Sequence, residues 1–219
     1  MMRGAASTMK RLRRVLGCVL LLWASSVNAQ QTSAPFAVTL QPATTSIHWA
    51  LNTTLHTVHG TFRLKGGSFR VDPASGEASG LIVIDASSGE SGDSARDNRM
   101  HRVILESERY PEIMYRPAHV SGHIDLVAGG DVTVDGTFSM HGADHPLQLT
   151  VHLQPQGNGA KLETHFTIPF VAWGLKDPST FVFRTEKQVE LDVDATFTPA
   201  PEHTAARPIL RPGEVHTAQ

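Results

Sequence analysis

Thiol chemistry is almost absent from this chain. Of its 219 residues one is a cysteine, Cys18, and it lies in a stretch that reads as removable. Without it there is no disulfide framework, no thiol nucleophile and no thiolate-bound metal or iron–sulfur cluster. A basic block is missing too. Five of the 19 basic residues (Arg3, Lys10, Arg11, Arg13 and Arg14) and none of the 21 acidic ones fall in positions 1–29. The remainder is therefore acidic, which argues against nucleic acid, because phosphate binding needs clustered Lys and Arg. The longest uncharged apolar run, residues 15–24, is too short to span a bilayer as a helix of the mature protein. No internal repeat of fixed period is visible.

What is present near the N-terminus has the order of a secretory signal: a basic run from Lys10 to Arg14, the apolar run, then Val27-Asn28-Ala29 with small residues at a cleavage position. Cleavage after Ala29 is expected, with Gln30 as the first mature residue and Met9 as an alternative start. Val15-Leu16-Gly17-Cys18 resembles a lipobox, but the apolar segment continues past the cysteine, so it is read as part of the signal. The expected destination is the bacterial periplasm or the medium. The chain thus divides into a signal (1–29), a short linker (30–35), one domain (36–198) and a flexible Pro-rich tail (199–219). At 18% charged and 40% hydrophobic residues, the domain has an ordinary globular composition.

The dominant period in that domain is two. Ile47, Trp49 and Leu51 alternate with His48, Ala50 and Asn52. The same rhythm runs through 132–140, 147–154, 162–170 and 189–197. Weaker strands are read at 36–42, 61–71, 78–86 and 112–122, with Gly-, Asp- and Pro-rich turns between them. Residues 94–107 break the rhythm and place Met100, Val103 and Ile104 at helical spacing behind Ser94-Ala95-Arg96-Asp97, which resembles a capping box. Eight or nine antiparallel strands with one short helix imply an all-β, lipocalin-like antiparallel β-barrel of about eight strands, the helix capping one end. A soluble barrel with an apolar inner face either packs itself full or holds an apolar guest, so a lipophilic small molecule is the first physical expectation.

Local motifs for chemistry are weak. His141-Gly142-Ala143-Asp144-His145 and His56-Thr57-Val58-His59 contain ligand-type residues, but Gly142 and Pro146 argue for a turn rather than the helix face that zinc pairs use. Gly89-Glu90-Ser91-Gly92-Asp93 fails the nucleophile-elbow pattern at Asp93. Asp192 and Asp194 sit on what reads as the wet face of a strand. No metal and no catalytic residue is expected, and the chain is read as a non-enzyme.

Several segments carry a family resemblance. Thr137-Phe138-Ser139-Met140-His141-Gly142-Ala143-Asp144-His145-Pro146-Leu147-Gln148-Leu149 resembles the "L-T-x-H-G-V-T-K-P-V-x-L" hairpin of the YceI-like family of exported polyisoprenoid-binding proteins. Ser46 to Leu51, His56 to Phe62, Arg96-Asp97 with Met100-His101, and Arg109-Tyr110-Pro111-Glu112-Ile113 are similar to further parts of that pattern. Where the family often has "R-S-D-F-G-L", this chain has Pro169-Phe170-Val171-Ala172-Trp173-Gly174-Leu175, so the resemblance assigns no polar headgroup contact there. It implies a tunnel for an isoprenoid chain, with isoprenoid lipids or quinones as guests and no reaction.

The candidate ligand wall drawn from the apolar faces is Ile47, Trp49, Leu51, Phe62, Met100, Phe138, Met140, Leu149, Phe166, Ile168, Phe170, Trp173, Phe181 and Phe183. Trp173 is placed at the rim of the mouth. Apart from the lipid itself, the expected partners are transient ones, a membrane or membrane protein. Two rivals stay open: a periplasmic quinone- or metal-dependent accessory using His141, His145 or His101, and a filled barrel serving as an envelope stress module.

Overall fold

The structure, a computed structural model, describes residues 34–180 and 184–201. Its strands are β1 (Phe36–Leu40), β2 (Thr45–Asn52), β3 (Thr57–Val71), β4 (Ala78–Glu90), β5 (Glu112–Ser121), β6 (Gly130–Met140), β7 (Ala143–Gln156), β8 (Gly159–Ile168), β9 (Val189–Phe197) and β10 (Ala200–Pro201). All pairings between strands are antiparallel, in the order β10-β1-β3-β2-β9-β8-β7-β6-β5-β4, and a β3–β4 ladder closes the ring. Strands β2 to β9 form a closed eight-strand barrel.

The long strand β3 explains the odd position of β1. Its first half pairs with β2 (Thr57 to Phe62) and its second half with β1 (Gly67 to Val71). Strands β1 and β2 are thus one lane interrupted by the 3₁₀ turn Pro42–Thr44, where proline stands at a helix start. Two residues of the stretch read as a flexible tail belong to the sheet. Ala200 and Pro201 pair with Ala37 and Phe36, an edge position that tolerates the missing proline donor. The signal segment and the rest of the tail lie outside the described residues.

Alternation sets which face is buried. Leu149, Val151 and Leu153 of β7 are buried while Gln148, Thr150, His152 and Gln154 are exposed. The outward acids are answered across the sheet: His165 Nδ1 lies 2.7 Å from Asp192 and Lys161 Nζ 2.8 Å from Asp194. That disposes of Asp192 and Asp194 as an acid–base pair. The β6–β7 link is a two-residue turn with His141 at φ 54° and Gly142 at φ 79°, the left-handed pair that hairpins of this length demand.

The helical segment differs from its sequence reading in two ways. It is an α-helix, α1 (Ser94–Arg99), followed by a π-helical turn over Met100–Ile104, in which Leu105 N–H donates to the Met100 carbonyl. The cap is Asp93, not Ser94. Its carboxylate accepts from the backbone N–H groups of Ala95 and Arg96 at 3.0 and 2.9 Å, as a free Asp side chain just before a first turn does. Asp97 instead accepts from Ser91 N–H at 2.9 Å.

Candidate functional site

The barrel interior holds two apolar chambers. The larger, about 470 Å³, lies at the end capped by α1 and the π turn. The smaller, about 150 Å³, lies towards the opposite end, beside Phe36, Val71, Val120 and Leu126. Ile47, Ile84 and Phe138 belong to the walls of both.

Inward-facing side chains of the strands build the larger wall. Trp49 faces Gly60 directly across the β2–β3 ladder, and a Cβ at position 60 would stand 2.3 Å from the indole Cε2. Gly60 is therefore what lets the indole lie over the neighbouring strand. The helical segment adds Met100, Ile104 and Leu105, and the strap after β8 adds Phe170 and Leu175. His101 fixes the π turn to β4, its Nε2 donating to the Gly89 carbonyl at 2.8 Å while its Nδ1 accepts from Ser107 Oγ at 3.2 Å.

Polar groups in this wall are few and sit at its helix-and-strap end: Thr53, Arg96, Arg99 and Thr185. Arg96 is held in place, donating to Ser91 Oγ at 2.7 Å and to the Ser91 carbonyl at 3.0 Å. Arg99 Nη2 donates to the Pro178 carbonyl at 3.3 Å, tying helix to strap. The strap is further fastened by Thr54 N–H to Arg184 O (3.0 Å), Glu186 N–H to Asn52 O (2.9 Å) and Lys176 Nζ to Glu106 Oε1 (3.5 Å). The smaller chamber is different in kind. Its one strongly perturbed group is Tyr115, whose hydroxyl donates to the Val134 carbonyl at 3.1 Å. Burial, reinforced by the nearby Asp135 charge, pushes its ionisation well above the ordinary tyrosine value.

Most of the sequence-derived residues come together here. Ile47, Trp49, Leu51, Phe62, Met100, Phe138, Met140, Ile168 and Phe170 line the larger chamber, and Leu149 and Phe166 the smaller. Trp173 lines neither. Period two ends with β8 at Ile168, and residues 169–175 form a hydrogen-bonded turn, with Trp173 N–H donating to Pro169 O at 3.1 Å. The turn lays Trp173 flat on His145, ring centroids 4.1 Å apart, with Phe138 at 5.7 Å. Phe181 and Phe183 lie outside the described residues. Sequence reasoning missed Leu105 and Leu175, which belong to no alternating run, and Ile84 and Ile113, whose alternation in β4 and β5 was available.

The histidine constellations do not assemble. His141 packs on Tyr110 (centroids 4.5 Å apart) and lies 3.9 Å from Glu106, while His145 stacks on Trp173. Among the described residues no group of three or more His, Cys, Asp or Glu could hold a metal ion. Ser91 is hydrogen-bonded to Asp97 and Arg96.

The YceI-like domain family matches residues 38–197, and the chain belongs to that family. Among solved structures it is similar to BcnA of Burkholderia cenocepacia (TM-score 0.59, 14% identity, 72% of this chain and 98% of that one covered). It is also similar to a polyisoprenoid-binding domain from Saccharophagus degradans implicated in plant cell wall breakdown (TM-score 0.51, 18% identity, 75% and 98% covered). At these identities the likeness speaks for the fold. No curated protein matches the chain.

Proposed function

We propose that this protein is an exported lipid carrier or sequestering protein that buries one apolar chain of isoprenoid or quinone-like type in its barrel. The observation that carries the reading is the larger chamber, about 470 Å³ of space with almost wholly apolar walls. Each methylene moved there from water contributes about 0.8 kcal/mol, so a chain of modest length suffices for tight binding. Its polar end belongs beside Thr53, Arg99 and Thr185, its tail towards Phe138. The name of the Saccharophagus domain supports a lipophilic guest. The space inside also weighs against a barrel filled by its own side chains, and the scattered histidines weigh against a metal-dependent accessory. Binding, not catalysis, is the activity, and no cofactor is part of it.

Export rests on the signal-like segment at 1–29. Such a carrier must collect its lipid from a membrane, and Leu55, 68% exposed on the β2–β3 turn next to Thr53, suits a brief contact there. The test is native mass spectrometry of protein purified from a lysate that retains its membranes. A co-purified lipid, together with an N-terminus at Gln30 in the periplasmic or secreted fraction, is expected. Protein that is always empty and takes up neither prenols nor quinones overturns the reading.

A further inference from the structure

The two chambers share three wall residues, and the layer that these form bears on the length of the guest. Ile47, Ile84 and Phe138 come from the alternate strands β2, β4 and β6, the arrangement by which barrels stack side chains in layers. They are 2%, 9% and 4% exposed. Phe138 is the one ring in the layer, and it is held from several sides. Phe166 meets it edge-on at 6.5 Å between centroids and Trp173 at a tilt at 5.7 Å. Trp173 is itself stacked on His145, the residue paired with Phe138 across the β6–β7 ladder. On its other flank Phe138 is paired with Tyr115, whose hydroxyl is anchored on Val134. Swinging the ring aside means disturbing at least one of these neighbours.

Volume gives the scale. An apolar cavity of about 150 Å³ in a protein holds one benzene, six carbons. By that measure the larger chamber, about 470 Å³, takes roughly 15–20 carbons. The smaller, about 150 Å³, takes about six more. We propose that Phe138 is a length stop, so that the barrel selects a single apolar chain of about 15–20 carbons, the size of three or four isoprene units or a common fatty chain. A tail of octaprenyl length fills the chamber and leaves its remainder outside. Phe138 thereby determines specificity, while the polar end of the ligand lies at the far, helix-covered opening.

This inference rests on the carrier reading, and a prenol series separates the two. The secreted protein, stripped of lipid, is titrated with geraniol, farnesol, geranylgeraniol, geranylfarnesol and octaprenol by displacement of a fluorescent fatty-acid probe. Affinity should climb to geranylgeraniol and then stop climbing. Phe138→Ala, checked for folding by circular dichroism, should gain at least about tenfold for geranylfarnesol, because the smaller chamber becomes reachable. Phe138→Leu should shift the profile in the same direction by less, and it carries the test if the alanine variant does not fold. Wild-type affinity that keeps rising to octaprenol, or variant profiles that superimpose on wild type, overturns the length stop and leaves the carrier reading intact. No binding at any length overturns both.

Discussion

The two ends of this barrel are closed in different ways. At one end the cover is a helical segment and a strap: α1, its π turn and the residues after β8, joined by the Arg99–Pro178 and Lys176–Glu106 contacts and tied to the strands through His101–Gly89, Thr54–Arg184 and Glu186–Asn52. At the other end two aspartate-centred turns fold back on the strands. Asp72 accepts from Ala74 N–H at 2.9 Å, and Gly76 O accepts from Val120 N–H at 2.7 Å. Asp125 accepts from the N–H groups of Val127 and Ala128, both at 2.8 Å. The helix-and-strap end covers the larger chamber and carries its polar residues; the turn-built end covers the smaller, apolar one. A π turn inside a helix is a common mark of a functional segment, and it lies at the helix-and-strap end. On the proposed carrier reading, loading belongs there and the opposite end serves as a floor.

The largest effect that would sharpen this contrast comes from two glycines with nearly equal φ. Gly76, at the turn-built end, has φ 75°, and a Cβ there would stand 2.5 Å from both the Val120 carbonyl oxygen and His119 Cε1. Gly92, just before α1, has φ 78° and open space around it. Any L-residue in the left-handed region costs about 1–2 kcal/mol, and forcing atoms into a packed site adds about 1–3 kcal/mol. Gly76→Ala is thus expected to lose about 2–5 kcal/mol in urea unfolding, and Gly92→Ala only about 1–2 kcal/mol. Equal losses would mean that the two ends are equally rigid.

Tyr115 tests the floor next. Removing its hydroxyl takes away a part-buried hydrogen bond to the Val134 carbonyl, so Tyr115→Phe should cost about 1 kcal/mol. The same residue sets an alkaline limit. Its ionisation is raised in the folded chain, chiefly by burial. The unfolded chain therefore loses the proton first, and stability falls as pH climbs past the ordinary tyrosine value near 10. Tyr115→Phe should flatten that fall in denaturation profiles taken above about pH 10. Ligand binding in the larger chamber should be unchanged, since Tyr115 lines the other one; weakened binding would show that the floor and the loading end are coupled.

The same contrast separates what was legible in the sequence from what was not. The walls are strand-built, and period two gave them away: Ile47, Trp49, Phe138 and Leu149 all face inward as the alternation requires. The cover was harder. Its residues lie in short segments whose side-chain direction depends on turn geometry, which is why Leu105 and Leu175 went unseen and Trp173 was assigned to the ligand wall. Of the residues read at helical spacing, Met100 and Ile104 reach the chamber although they lie in the π turn, whereas Val103 is exposed. The layer at Phe138 could not be read at all, since which strands contribute to one layer depends on the stagger of the closed barrel.

The smallest expected effect compares two carboxylates, Asp93 at the helix cap and Asp125 in the floor turn. Both are held below the usual carboxylate range, Asp93 first by the Arg96 backbone N–H and Asp125 first by that of Ala128. A carboxylate whose folded pKa is depressed contributes stability above its unfolded value and loses it as pH falls through the folded one. Each turn should therefore loosen below about pH 4, and the consequences should differ. Asp93→Asn removes the charge that orders the first turn of α1, so amide exchange at Ala95 and Arg96 should quicken at neutral pH. Release of a bound prenol should quicken with it, because that turn lies over the larger chamber. Asp125→Asn should quicken exchange at Val127 and Ala128 and leave prenol release as it was. If lipid leaves faster from the Asp125 variant than from the Asp93 variant, the floor is the door, and the assignment of the two ends must be reversed.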